Sequence, residues 1–384
     1  MHVAVEGCVH GDLDLIYAKI KEKEEADNIK VEILLCCGDF QAVRNENDLE
    51  DLACPPKYKE YHDFRDYYSG KKVAPLLTIF VGGNHEAPAF LKDLYYGGWV
   101  AKNIYYIGHS GVVNFNGLRI AGLSGIYDSK DYRKGFFETV PFNESTKRSA
   151  YHVREFDIKK LSLVEKPVDI FLSHDWPQGI ERYGDLETLI KRKRHLEPDI
   201  ERGKLGNPHT WELLGKLRPR YWFAAHLHVK FEAIVQHGEE STYFLALDKP
   251  LPRRQFIDFM FISPVKPQKR KQDEEANLCY DVEWLSIVAT SAKDMPLNAF
   301  QSSVELKLRK PDDDVGKRVL DALVKQGCET CTINGSTEYK IPLPTIENIR
   351  QPEKQREAFM KMLEIPDNTY FSPKSGAKFE VKFK

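Results

Sequence analysis

Three observations predict an α/β fold with both faces of its sheet covered. Short, nearly continuous apolar runs recur through residues 1–250. Helical or loop segments separate them. Several runs are followed at once by a short cluster of His, Asp or Asn with Gly. Unbroken apolar runs mark strands buried on both faces, and their alternation with helices marks crossover connections. In order, residues 1–5 predict the first strand and 13–25 a helix. The second strand is expected at 31–37 and the third at 76–81. Shorter strands follow at 104–107, 111–115 and 118–123. Runs at 168–173, 221–225, 231–235 and 242–247 complete the set. The later, shorter strands predict that the sheet becomes mixed or that a second sheet packs beside it.

The chain has 384 residues, which suggests two domains, or three. With 42% hydrophobic and 30% charged residues, it has the make-up of a globular protein able to bury a sizeable core. A net charge of -2 excludes a grip on nucleic acid by bulk positive charge, so any such grip is local. No stretch approaches the ~18 apolar residues that cross a bilayer. The start, Met1-His2-Val3-Ala4-Val5-Glu6, has no basic segment before an apolar core, so no signal peptide is expected. Seven cysteines are an odd number. Together these features predict an intracellular chain with reduced thiols.

Several segments break the strand–helix alternation. Residues 129–154 form a long polar stretch with six Lys/Arg (Lys130, Arg133, Lys134, Lys147, Arg148, Arg154) and five aromatics (Tyr132, Phe136, Phe137, Phe142, Tyr151). A long loop inside a compact domain is usually functional or disordered. Lys191-Arg192-Lys193-Arg194-His195 is a compact basic run whose plain reading is a solvated helix face. The Pro- and Lys-rich segment 264–272 has the composition of an exposed loop and of a nuclear localisation patch. Residues 275–384 predict a smaller region without an evident catalytic constellation. Its Cys328-Glu329-Thr330-Cys331 pair lacks a second pair or a nearby His, so no zinc site is expected there.

The chemistry gathers in five short segments at predicted strand ends. They are Cys8-Val9-His10-Gly11, Gly38-Asp39-Phe40, Gly82-Gly83-Asn84-His85-Glu86, Ser173-His174-Asp175 and Ala225-His226-Leu227-His228. Each alone is compatible with a structural histidine or a turn. Loops at the carboxyl ends of strands converge in α/β sheets, however, and glycines let the backbone turn beside a ligand. Together the five segments offer carboxylate, imidazole, amide and thiolate donors, the inventory of a transition-metal site.

This order of motifs resembles the calcineurin-like metallophosphoesterase family over residues 1 to about 250. That family has Asp where this chain has Cys8, and usually Gly where it has Ala225. Both departures, with Ala53-Cys54-Pro55-Pro56-Lys57-Tyr58, Tyr95-Tyr96-Gly97-Gly98-Trp99, His174-Asp175-Trp176-Pro177 and Leu245-Ala246-Leu247-Asp248-Lys249-Pro250, resemble the RNA lariat debranching branch. The resemblance implies an α/β sandwich of two mainly mixed β-sheets flanked by helices, with a smaller C-terminal domain. It divides the chain into a catalytic domain at 1–250, with a lariat-recognition insertion at 124–157. A linker or exposed loop at 251–274 and a C-terminal domain at 275–384 follow.

Carried over by position, the resemblance implies one metal on Cys8, His10, Asp39 and His228. A second would sit on Asn84, His174 and His226, with Asp39 bridging. A thiolate has the charge of the carboxylate it replaces but is softer, so up to two ions of Fe²⁺ or Zn²⁺ are favoured; the resemblance also admits Mn²⁺. The implied reaction is hydrolysis of the 2′,5′-phosphodiester at the branch of an excised intron lariat by metal-activated water, with His85 as general acid. The implied partner is branched lariat RNA, met by Lys130, Tyr132, Arg133, Lys134, Phe136, Arg148, Tyr151 and Arg154. The implied compartment is the nucleus, with the cytoplasm second, and no membrane. A small-molecule or protein phosphatase would need an open cleft without such a basic patch. A non-catalytic scaffold would have lost ligands.

Overall fold

The computed structural model describes residues 1–264, 277–333 and 335–366. In chain order the strands are β1 (His2–Glu6), β2 (Val31–Cys36), β3 (Leu77–Phe80), β4 (Gly98–Ala101), β5 (Ile104–Tyr106), β6 (Ser110–Phe115), β7 (Leu118–Leu123), β8 (Ile170–Ser173), β9 (Tyr221–Ala224), β10 (Phe231–His237), β11 (Glu240–Ala246), β12 (Ile257–Phe261), β13 (Leu278–Tyr280), β14 (Thr330–Ile333) and β15 (Ser336–Tyr339). One sheet has the order β12-β1-β2-β3-β5-β4, and the other β10-β11-β9-β8-β7-β6-β13. In the first, β1, β2, β3 and β5 run parallel between antiparallel edge strands. In the second, β7, β8, β9 and β11 are the parallel core.

Side-chain alternation explains the layering. Val3 and Val5 of β1, Ile33 and Leu35 of β2, and Ile79 of β3 face Ile120, Ile170, Leu172, Phe223 and Leu245 of the other sheet. Ala4, Leu34 and Phe80 face outward onto the helix Leu13–Asp27 through Leu13, Ile16, Tyr17 and Ile20. On the far side, Phe171, Trp222 and Phe244 are covered by the helices Glu155–Leu161, Pro208–Leu217 and Val282–Ser291. Every parallel strand therefore ends at the same rim of the sandwich as its neighbours. That rim carries all five motif loops.

The C-terminal elements are fastened to this frame. Strand β12 lies inside the segment expected to be a linker, yet it pairs with β1. Strand β13 pairs with β6 in the second sheet. Of the Pro- and Lys-rich segment, residues 265–272 lie outside the described residues. The buried guanidinium of Arg119 on β7 binds both oxygens of Asp281 at 2.8 and 2.9 Å and Glu283 at 2.6 Å. The Gln355 side-chain amide pairs with the Trp99 backbone in both directions at 2.9 Å, closing the exposed edge of β4.

Removing one partner of a buried ion pair leaves the other charged and unpaired, at a cost of roughly 3–5 kcal/mol. Arg119→Ala should therefore lower the midpoint of chemical denaturation strongly, and Asp281→Ala should do so less, because Arg119 keeps Glu283. Because the two residues share one network, the double variant should cost much less than the sum of the single ones.

Candidate metal centre

The five loops meet through backbone bonds before any ligand is considered. The His226 N–H donates to the Cys8 thiol at 3.2 Å, joining the first motif to the last. The His10 N–H donates to the Asp39 carbonyl at 2.6 Å. His10, Asp39, His226 and His228 all adopt positive φ, at 48°, 44°, 66° and 50°. Such conformations cost non-glycine residues of order 1–3 kcal/mol each and persist where surrounding structure imposes them. Two glycines make room. A Cβ on Gly38 (φ 108°) would lie 2.3 Å from His174 Nδ1. One on Gly83 would lie 2.2 Å from Asp39 Oδ1 and 2.8 Å from His174 Nε2.

The donor atoms of Cys8, His10, Asp39 and His228 lie within 4.8 Å of one another. Asp39 Oδ2 is 3.7 Å from His10 Nε2, while Oδ1 is 3.2 Å from His174 Nε2 and accepts the His85 N–H at 2.8 Å. The Asn84 side-chain oxygen is 3.2 Å from the same His174 nitrogen. His174 Nδ1 donates to the Cys37 carbonyl at 2.8 Å, which aims Nε2 at Asp39 and Asn84. The His226 ring centre lies 5.0 Å from that of His174. All seven expected ligands thus gather around one carboxylate. The Nε2 atoms of His10 and His228 are buried without a hydrogen-bond partner among the described residues. A cation would satisfy both.

At His10, His226 and His228 the electrostatics suit ligation, whereas at His174 burial is outweighed by the Asp39 charge and hydrogen bond, which raise the imidazole. Burial lowers His10 and His226, and it lowers His228 to about 3 with help from Lys249 and His10. Neutral imidazole is the form that binds metal. Burial works against the Asp39 charge, but His174, His85 and His10 outweigh it and hold the carboxyl well below its ordinary range. Burial, then Asp39 and Glu6, push the Cys8 thiol well up. A bound divalent cation would release its proton.

The comparisons with known proteins agree. The family model "Calcineurin-like phosphoesterase" matches residues 1–230, and "Lariat debranching enzyme, C-terminal domain" matches 239–368. A lariat debranching enzyme of Arabidopsis thaliana is 51% identical over 99% of this chain and 90% of its own length. The chain belongs to the lariat debranching enzyme family. Relatives so named from Xenopus laevis and Homo sapiens are each 52% identical over 75% of this chain. The chain spans about half their length, 54% and 53%.

Within this debranching-family site, one residue quoted only as part of a motif has a definite role. The Glu86 carboxylate accepts the N–H groups of Phe40 at 2.7 Å, Gln41 at 2.9 Å and Gly83 at 2.9 Å. It thereby ties the Asp39 loop to the Asn84–His85 loop. Burial pushes its carboxyl up to about 7 against the pull of those donors. The available signal was an acid directly after a Gly-Gly-Asn-His turn rich in unpaired N–H groups.

The expected RNA-contacting residues divide. Lys130, Arg133 and Arg148 are exposed, and Tyr151 is half-buried beside Gly83 and Glu86. Lys134 is ion-paired to Asp131 at 2.7 Å. Tyr132, Phe136 and Arg154 correct the expectation, because they face inward. Tyr132 stacks on His209 with ring centres 3.8 Å apart, and Phe136 packs on Tyr95 at 5.2 Å. Arg154 is 1% exposed and binds Glu138 at 2.5 Å and the Ser149 carbonyl at 2.9 Å. These three hold the insertion together, and Arg154 fastens the end of the helix Glu144–Ser149 through the Ser149 carbonyl. In the C-terminal region, Cys331 Sγ lies 3.5 Å from Cys279 Sγ, and no disulfide is formed.

The Gly83 cradle makes a sharp prediction. Gly83→Ala should give folded protein that binds far less divalent metal, because its methyl group occupies the space of the Asp39 carboxylate. Gly215→Ala, where an added Cβ meets nothing within 4 Å, should bind metal normally. Elemental analysis of the two purified variants, with circular dichroism as the folding control, makes the comparison.

Proposed function

We propose that this chain hydrolyses the 2′,5′-phosphodiester at the branch point of excised intron lariat RNA. The products are a free 2′-hydroxyl and a linear RNA with a 5′-phosphate. The observation that carries this reading is the convergence of six other ligand-capable side chains on Asp39, with Cys8 among them, in a chain of this family. Cys8, His10, Asp39 and His228 would hold one divalent cation, and Asn84, His174 and His226 a second, with Asp39 between. Metal ions so bound would supply Lewis-acid stabilisation of the phosphoryl oxygens and lower the pKa of a water. The thiolate of Cys8 favours Fe²⁺ or Zn²⁺ over harder ions, and Mn²⁺ remains compatible with the nitrogen and oxygen donors.

His85 supplies the proton for the departing 2′-oxygen. Its backbone N–H is fixed to Asp39 at 2.8 Å, while its ring stands 5.4 Å from the His10 ring at the open side of the site. The imidazole has no hydrogen-bond partner among the described residues, so it is free for proton transfer. Exposed Lys130, Arg133 and Arg148 can meet RNA phosphates, and the Tyr151 ring offers a face for an unpaired base. Excised introns arise where transcripts are spliced, so we assign the nucleus as the site of action, with the cytoplasm second.

The direct test is a synthetic branched RNA beside its linear 3′,5′ counterpart, given to metal-loaded protein. The proposal expects release at the 2′,5′ linkage alone; cleavage of both RNAs, or of neither, contradicts it. His85→Ala should retain metal and bind branched RNA while its rate falls roughly 10²–10⁴-fold. The loss should shrink on an activated aryl phosphodiester, whose leaving oxygen needs no proton. Cys8→Ser should lower the Fe²⁺ or Zn²⁺ content of anaerobically prepared protein and leave debranching slow. Unchanged metal content in that variant would remove Cys8 from the ligand set.

A further inference from the structure

The basic run 191–195 lies beside the metal centre. Lys191 is exposed and paired with Glu187 one helical turn earlier at 3.6 Å, as a solvated helix face requires. The helix Leu186–Arg192 then ends, and at Lys193 the backbone leaves the helical region (φ -134°, ψ 57°). Past that break the surroundings change. An open groove of about 440 Å³ lies between this helix and the segment after His228, lined by Asp185, Arg192, Val229, Lys230, Glu232 and Gln255. Gln255, at the end of the loop 248–255, belongs to its lining. That loop is built onto the metal centre, since the Asp248 carbonyl accepts the Cys8 N–H at 3.2 Å. The Asp248 carboxylate receives the Lys249 N–H at 2.8 Å and Arg254 at 3.1 Å, which fixes the start of the loop.

Lys249 directly follows Asp248, whose carbonyl accepts the Cys8 N–H, and Lys193 directly follows Arg192, which shares the groove with Val229 next to His228. The groups acting on the half-buried Lys193 ammonium, after burial itself, are Asp248, Arg254, Lys249 and Cys8. Lys249 acts in turn on His10 and His228. Arg254 and Lys230 in this region are neutralised, by Asp248 at 3.1 Å and by Asp258 at 2.7 Å. Arg192, Lys193 and Lys249 form no ion pair among the described residues. Three cations without an ion-pair partner beside one lip of a reactive centre can meet an anion, with Asp185 and Glu232 also bordering the groove. The insertion borders the opposite lip. There Tyr151 and His152 line a narrow void with Gly82, Gly83 and Glu86, and the Gly125 N–H donates to the Gly82 carbonyl at 2.8 Å.

We propose that Arg192, Lys193 and Lys249 form a phosphate-binding shelf that holds one strand of the branched RNA on the Cys8–His228 side of the centre. The insertion holds another strand on the Asn84–His85 side. This inference rests on the reading of the chain as a branched-RNA hydrolase. It deepens that reading because a three-way branch presents more than one strand to the site. A strand whose phosphodiester reaches His228 must continue over some neighbouring surface, and on this side that surface is the shelf.

The test is equilibrium binding of a synthetic branched RNA over a salt series, with metal removed by chelation so that nothing is cleaved. Wild type is compared with Arg192→Ala/Lys193→Ala, with Lys249→Ala and with the charge-retaining Lys193→Arg/Lys249→Arg. Each alanine variant should bind more weakly at low salt. The slope of log affinity against log salt should fall by about 0.7 for each single-strand phosphate that is no longer neutralised. The arginine variant should restore the slope. Removing one particular arm of the RNA should make wild type and alanine variants bind alike, and removing another should not. Unchanged slopes in the alanine variants, or an arginine variant as weak as the alanine ones, overturn the shelf. Full RNA affinity with lost binding to polyglutamate would assign the surface to an acidic protein and also overturn it. Cleavage of the same RNA by metal-loaded wild type is scored separately. Cleavage without a variant effect rejects the shelf alone, whereas no cleavage at all rejects the hydrolase reading beneath it.

Discussion

The site depends on holding one carboxylate, that of Asp39, where a free chain would not put it. Its backbone has a positive φ, the residue is 1% exposed, and its two oxygens face the imidazoles of His10 and His174 and the backbone N–H of His85. Burying an ionised carboxylate is expensive unless it is paired and hydrogen-bonded. The His85 N–H, His174 and His10 provide the pairing, Gly83 provides the space, and Glu86 locks the two supporting loops together. With Asp39 fixed, the remaining donors need only be brought near it. The sandwich does this by ending β1, β2, β3, β8 and β9 at one rim.

The rest of the fold keeps that rim rigid. Parallel strands at the centre of each sheet are buried on both faces, and the antiparallel edges carry the later additions β12 and β13. The C-terminal region is therefore part of the same frame. Arg119 fastens it to β7 with charge-assisted bonds, and Gln355 satisfies backbone groups at the edge of β4. The reactive centre sits between two walls of different construction. The insertion is ordered by buried Arg154, Phe136 and Tyr132, whereas the opposite lip is ordered by the Asp248 turn.

Much of this was legible in the chain, for a physical reason. Buried parallel strands such as Val31–Cys36 and Ile170–Ser173 read as nearly unbroken apolar runs, and each metal donor follows one of them closely. The edge strand Phe231–His237 was legible at 231–235, but neither edge of the first sheet was. Gly98–Ala101 contains a glycine and pairs on one side only, and Ile257–Phe261 is mostly half-buried and follows a turn rich in Pro and Arg. Direction was equally hidden. Composition counts Arg154 and Phe136 among cationic and aromatic residues, but it does not say that both point inward. The work of Glu86 was hidden too, because two of its partners are backbone N–H groups contributed by a loop 45 and 46 residues away. The basic run shows the same limit: Lys191 behaves as a solvated face, while Lys193 takes another direction after a break in the helix that the run of charges does not reveal.

The central claim is that these side chains form a metal centre organised around Asp39 with a sulfur donor from Cys8. Anomalous diffraction from crystals grown without oxygen addresses it directly, by scanning the iron and zinc absorption edges. The account predicts a peak about 2.3 Å from Cys8 Sγ and about 2.0–2.2 Å from His10, His228 and Asp39, the usual metal–ligand distances for zinc. A metal seated away from Asp39, or one bound by nitrogen and oxygen alone with Cys8 turned aside, would contradict it.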